Sequence, residues 1–236
     1  MDELETLTAP QLRRLIDSGV SIAVVPFGSL EHQGAHLPLG ADAVLADAVG
    51  REVAGQLGAV LAPTVRVGCA EQHEQLVGTM SLRAPTLTDV AVELAESLAG
   101  HGFTVIVLVS THGGNRAALD AAVARLDASL DGAVACAPPG AVGPEPGRHS
   151  GQWLISVMLA LRPDLVELDR ASSELADELQ AGDAQRGAGH IKRFVDRSSK
   201  LSERPCRKPN PLRASWLQKS DFRPAGRRGC PVRPAR

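Results

Sequence analysis

Phe103-Thr104-Val105-Ile106-Val107-Leu108-Val109 is a run without polar alternation, and it breaks at Ser110-Thr111-His112-Gly113-Gly114-Asn115. A short continuous apolar run is the mark of a strand buried on both faces, the situation in a parallel sheet. Helical periodicity follows directly over 117–130, so this strand turns straight into a helix. The same unit recurs on either side. Ile22-Ala23-Val24-Val25 and Ala59-Val60-Leu61-Ala62 are short apolar runs before it, and Ala133-Val134-Ala135-Cys136-Ala137 is one after it. Thr8 followed by Pro10 predicts a helix start, with Leu12, Leu15 and Ile16 at helical spacing. Further helices are predicted over 41–56, over 87–98 with Thr86 or Thr88 as cap, and over 152–161. Strands alternating with helices imply right-handed crossovers and an α/β fold whose parallel sheet is covered on both faces. There is no internal repeat.

The chain has 236 residues, 44% apolar, 22% charged and only 3% aromatic. That length and composition suit one α/β domain and exclude global disorder. No apolar run approaches the ~20 residues that span a bilayer, and the acidic Met1-Asp2-Glu3-Leu4-Glu5 is unlike a secretory signal. Four cysteines without CxxC spacing do not make a disulfide framework, so a reduced, cytoplasmic protein is expected. The net charge of −2 conceals a split: residues 190–236 hold 14 of the 25 basic and 3 of the 27 acidic residues. Residues 1–190 are therefore expected to form the domain, and 191–236 a basic, Pro/Arg-rich, poorly ordered tail. The tail lacks the aromatic interleaving of a nucleic-acid surface, and neither nucleic acid nor membrane is expected as a partner.

In open α/β sheets the functional site forms outside the carboxyl ends of the strands. Glu31, His32, His36 and Asp42 follow the first strand; Glu71, His73 and Glu74 follow the second; His112 follows the central strand and His149 opens the last helix. A single loop histidine is ordinarily solvated or a cap. Five at one rim with carboxylates beside them point to a metal centre. Imidazole and carboxylate without thiolate suit Zn²⁺, Mn²⁺ or Fe²⁺. There is no G-x-G-x-x-G, no P-loop and no G-x-S-x-G elbow, so Ser29 and Ser110 are not convincing nucleophiles. Gly113 and Gly114 are read as letting the backbone pass close to the site.

These residues also carry a resemblance. Pro26-Phe27-Gly28-Ser29-Leu30-Glu31-His32-Gln33-Gly34-Ala35-His36-Leu37-Pro38-Leu39-Gly40-Ala41-Asp42 resembles the signature of the creatininase family of metal-dependent amidohydrolases. Glu71-Gln72-His73 with Gly78-Thr79-Met80-Ser81-Leu82, Thr111-His112-Gly113-Gly114-Asn115, and His149-Ser150-Gly151-Gln152-Trp153 agree in order and spacing. The resemblance implies a three-layer α/β/α sandwich with a mostly parallel sheet, usually a homo-oligomer. It implies a dinuclear zinc or manganese centre, sometimes iron, that hydrolyses amide C–N bonds, often cyclic ones. Carried over, Glu31 binds the first metal, Asp42 bridges both, His112 completes the first site, and His149 is a proton shuttle beside the substrate. His73, Gly113, Gly114, Gln152 and Trp153 fall where substrate would be met.

Two positions depart from that pattern. A histidine ligand expected two residues after Glu31 is Gln33, and a glutamate expected three residues after His149 is Gln152. Both amides weaken the same ion. Either His32 or His36 substitutes and two ions remain, or the chain holds one ion firmly and the second weakly or not at all. The expected activity is hydrolysis of a small or cyclic amide, or of a peptide C-terminus, by metal-activated water. The alternative is a non-catalytic binding or scaffold protein on the same fold.

Overall fold

The computed structural model of the chain describes residues 1–129, 133–137 and 149–171. The domain boundary at 190 and the basic tail lie outside these residues. Five parallel strands form one sheet: β1 (Asp2–Glu3), β2 (Ile22–Phe27), β3 (Val60–Leu61), β4 (Val105–Ser110) and β5 (Ala133–Ala137), in the order β1-β3-β2-β4-β5. The helices are α1 (Ala9–Asp17), α2 (Ala41–Leu57), α3 (Ala84–His101), α4 (Arg116–Ser129) and α5 (Gln152–Leu161).

Alternation along the strands divides the core in two. Val24, Val107 and Val109 face one side, packed with Leu45, Val49 and Val53 of α2 and Ile155 and Met158 of α5. Ala23, Val25, Phe27, Ile106 and Leu108 face the other, against Leu87, Ala91 and Ala95 of α3 and Leu119 and Leu126 of α4. This is the three-layer α/β/α sandwich with a parallel sheet. No helix among the described residues is long and apolar enough to cross a membrane.

Three details differ from the sequence reading. The two-residue β1 carries no periodicity and was not predicted. Strand β2 runs on through Pro26 and Phe27, which the residues alone place in the following loop. Proline is tolerated because its carbonyl accepts the Val65 N–H at 2.9 Å on the side where β3 has already ended. The missing donor therefore leaves the ladder to β4 intact. Helix α3 starts earlier than predicted, from Arg83 and Pro85, and is not capped by Thr86 or Thr88. The Thr88 hydroxyl instead bonds the Ala84 and Ala118 carbonyls, at 2.9 and 3.0 Å.

Candidate metal centre

The carboxyl ends of β2, β3 and β4 and the turn before α5 deliver their polar side chains to one place. Glu31 comes from the loop after β2 and is 1% exposed. Asp42 stands in the first turn of α2, where the helix dipole favours a carboxylate. His112 follows β4. Its Nδ1 lies 3.1 Å from Asp42 Oδ2 and 3.2 Å from Glu31 Oε1. Its Nε2 faces the Cys69 carbonyl oxygen at 2.8 Å. A carbonyl only accepts, so Nε2 carries a hydrogen, and the Nδ1 lone pair is directed at two carboxylates.

Oxygens that only accept thus converge on a nitrogen whose lone pair faces them, and a cation or a proton must stand among them. Ligands held at about 2.0–2.2 Å from one Zn²⁺ in a tetrahedron stand roughly 3.3–3.6 Å apart, close to the spacing seen here. The donor set therefore fits a divalent ion. In its absence a proton takes that place. Burial alone would lower the His112 imidazole, but the hydrogen bonds and charges of Asp42 and Glu31 outweigh it and push it up to about 10. Burial alone would raise Glu31, but the hydrogen bond and charge of His112, with His73 and His149 behind it, hold the carboxyl at about 2.

A second group shares Glu31. His73 Nδ1 is 2.9 Å from Glu31 Oε2, and His149 Nδ1 is 3.6 Å from Oε1. The two imidazole rings lie against each other with centroids 4.1 Å apart, tilted by 36°. The structure thus brings together Glu31 with Asp42 and His112, and Glu31 with His73 and His149, as two groups of atoms that could hold a metal ion.

Gln33 donates its amide to both carboxylates, at 3.2 Å to Glu31 Oε1 and 3.3 Å to Asp42 Oδ2. Its orientation is fixed because the Ser150 hydroxyl donates to Gln33 Oε1 at 2.8 Å. Ser150 is in the left-handed region at φ +58°, uncommon for a residue with a Cβ. The His36 ring, placed among the ligands by sequence, instead donates Nε2–H to the Ser150 carbonyl at 3.0 Å. His32 also stands apart: its Nδ1 accepts the Gly34 N–H, and its carbonyl accepts His149 Nε2–H at 2.7 Å. Neither histidine joins either ligand set. Glu71 turns to Arg83 at 2.9 Å. Gln152 begins α5 half-buried, outside both sets, and Trp153 packs on the α2–α5 core.

Gly114 lies against the Cys69 carbonyl, whereas Gly113 faces open space. Asn115, quoted in the motif but given no role there, ties the loops together. Its Oδ1 accepts the Cys69 N–H at 2.8 Å, and its Nδ2 donates to the Gly28 carbonyl at 2.9 Å. Ser29, unconvincing as a nucleophile, has a positioning contact instead: its hydroxyl donates to Asp42 Oδ2 at 2.7 Å. A serine near a carboxylate in sequence gives no signal of that contact.

The creatininase family profile, described as creatinine amidohydrolase, matches residues 5–207. The mycofactocin precursor peptide peptidase of Mycolicibacterium smegmatis is 38% identical over 177 residues, covering 72% of this chain and 66% of that protein. The chain thus spans just under two thirds of that relative's length. Creatinine amidohydrolase of Pseudomonas putida is 31% identical over 191 residues, covering 70% and 73%. The solved structure titled Creatininase Mn shares the fold at a TM-score of 0.70 and 24% identity, over 85% of this chain and 97% of that one. A mutant creatininase of Zn–Zn type does so at 0.69, 24% identical, over the same shares. On the match to its profile and on these relatives, the chain belongs to the creatininase family.

Proposed function

We propose that this chain is a metal-dependent hydrolase of an amide C–N bond, with a divalent ion held by Glu31, Asp42 and His112. The observation that carries the reading is the convergence of two buried carboxylates on the lone pair of His112. Such an arrangement is costly unless a cation is present. The two curated relatives are named for different substrates, a peptide precursor and creatinine, yet a peptidase and an amidohydrolase have hydrolysis of a C–N bond in common. The substrate class is accordingly a small or cyclic amide or a peptide.

The donor chemistry favours zinc or manganese, with iron(II) a third option, and the solved creatininases include manganese and Zn–Zn forms. Bound there, such an ion supplies Lewis-acid polarisation of a carbonyl and lowers the pKa of water. The chain's own residues do the rest. Ser29 and Gln33 hold the carboxylates in place, and the Cys69 carbonyl fixes the His112 tautomer. His149, 39% exposed and 3.6 Å from Glu31 Oε1, is the member of the cluster most open to an approaching substrate. Leu76, Val77 and Met80 are exposed on the loop that carries His73 and give the site an apolar edge.

The test is metal content and hydrolysis of creatinine and of short peptides by the wild type and Asp42→Ala. Both are expected to be lost in Asp42→Ala. Turnover retained in Asp42→Ala would end it, and tight metal binding without hydrolysis of any amide tried would replace it with a non-catalytic binding role.

A further inference from the structure

We infer that Ser150 is a positioning residue of the metal centre, acting through Gln33, and that His36 is the clasp that holds Ser150 in place. This role rests on the metal-dependent reading above and extends it to the turn before α5.

The Gln33 NH₂ group donates to Glu31 Oε1 and Asp42 Oδ2, the same two oxygens that face His112 Nδ1. Where the amide stands therefore decides where both oxygens point. Carboxylates only accept, so the amide oxygen faces the other way, and there the Ser150 hydroxyl donates to it at 2.8 Å. Ser150 makes this contact while buried and from a backbone with φ +58°. Glycine adopts that conformation freely, whereas a residue with a Cβ seldom does. What serine adds over glycine at this strained place is the hydroxymethyl group that reaches Gln33.

His36 keeps the turn in that conformation. Its Nε2–H donates to the Ser150 carbonyl at 3.0 Å, and its own carbonyl accepts the Glu167 N–H at 3.0 Å. One residue of the loop after β2 thus grips the chain on both sides of α5. The grip is close-fitted: the His36 ring is buried, and Gly34 passes over it at φ +74°, where a Cβ would stand 2.9 Å from the ring Cε1. Alongside, His149 Nε2–H donates to the His32 carbonyl at 2.7 Å. Hydrogen bonds therefore cross between 32–36 and 149–150 at His32, Gln33 and His36, and the middle one ends on the amide that holds both carboxylates. Without the Ser150 hydroxyl the buried Gln33 oxygen loses that partner. Without His36 the turn is free to carry the hydroxyl away.

The experiment measures zinc affinity by competition in the full chain, with urea unfolding to establish that each variant is folded. Ser150→Gly removes the hydroxyl while relaxing the backbone. It is expected to bind zinc about tenfold more weakly, the lower end of the usual effect of losing a partner that orients a ligand. His36→Leu is expected to lose a similar factor, and His36→Gln, whose side-chain N–H can replace that of the ring, to recover most of it. Added to Gln33→Met, Ser150→Gly is expected to weaken binding no further, because the amide through which it acts is gone. Wild-type affinity in Ser150→Gly overturns the role of Ser150 and leaves the metal-dependent reading standing. A further tenfold loss on adding Ser150→Gly to Gln33→Met overturns the route through Gln33. Equal losses in His36→Leu and His36→Gln overturn the clasp. No zinc bound by the wild type overturns the metal-dependent reading itself.

Discussion

The carbonyl oxygen of Cys69 accepts the Nε2–H of His112 at 2.8 Å, so a main-chain atom from the loop after β3 sets the direction in which His112 presents Nδ1 to Glu31 and Asp42. The glycine two residues after His112 makes this approach possible. A Cβ on Gly114 would run into the Cys69 carbonyl oxygen and come within 2.6 Å of His112 Nε2. Both obstacles are held: the first is backbone, and the second is a ring fixed at its other nitrogen.

Gly114→Ala is expected to weaken divalent metal binding by about 10–100-fold, the usual cost of losing a partner that orients a ligand. It should also destabilise the fold by roughly 1–3 kcal/mol through overpacking. Gly113→Ala is the control, because a Cβ there meets nothing within 4 Å; it should change stability by less than about 0.5 kcal/mol. Zinc competition and urea unfolding of both variants check this. Unchanged metal affinity in Gly114→Ala would mean that the Cys69 carbonyl does not orient His112.

Asn115 uses both ends of its amide. Oδ1 accepts from Cys69 N–H, and Nδ2 donates to the Gly28 carbonyl and to the Ser110 hydroxyl at 3.2 Å. Asn115→Asp preserves shape and acceptor but turns a carboxylate oxygen on the Gly28 carbonyl in a fully buried position. The expected loss is about 2–4 kcal/mol in urea unfolding at neutral pH. It should diminish in acid, where the carboxyl regains a hydrogen to donate. A loss independent of pH would point to packing instead.

The fold was legible where residues repeat their message. The run from Phe103 to Val109 and the α4 periodicity announce a buried strand and its crossover without outside help. Asp2–Glu3 could not be read, because a two-residue edge strand is made by its neighbour β3 rather than by propensity. The site was legible as a rim and less so as contacts. Loop position brings Glu31, Asp42, His73, His112 and His149 to one edge, and all five meet there. Nothing in the sequence says that the His36 ring turns to the Ser150 carbonyl or that His32 offers its carbonyl rather than its ring. Those outcomes depend on where two distant loops cross.

The protons that hold the metal-free centre together make its stability depend on pH. His112 is pushed up to about 10, above its unfolded value of about 6.5. Its contribution is therefore fully present below about pH 6.5 and is lost as pH rises through 10. Glu31, held at about 2, contributes above about pH 4.3 and loses that contribution as pH falls through 2. Chelated wild type should thus lose stability between pH 7 and 10, with a slope of up to about 1.4 kcal/mol per pH unit. His112→Asn should be less stable at pH 7 and nearly flat over the same range. Equal slopes in the two proteins would show that His112 is not the group responsible.

Gln33 offers the most direct way to ask what the carboxylates require. Its NH₂ group lies against Glu31 and Asp42 and supplies donors where two acceptors face each other. Gln33→Glu keeps the size and can keep the bond from Ser150, but it puts a third carboxylate in place of that donor. Without metal, like charges in a buried site should cost about 2–4 kcal/mol, or roughly 4–16 °C in melting temperature for a domain of this size. In excess Zn²⁺ the deficit should shrink or vanish, because a cation between the carboxylates replaces what the amide gave. Thermal melts with and without chelator measure the difference. A deficit that zinc does not alter would make Gln33 a packing residue. One that zinc removes would show that the amide stands in for positive charge, which is the physical reason a neutral residue is tolerated at the heart of this site.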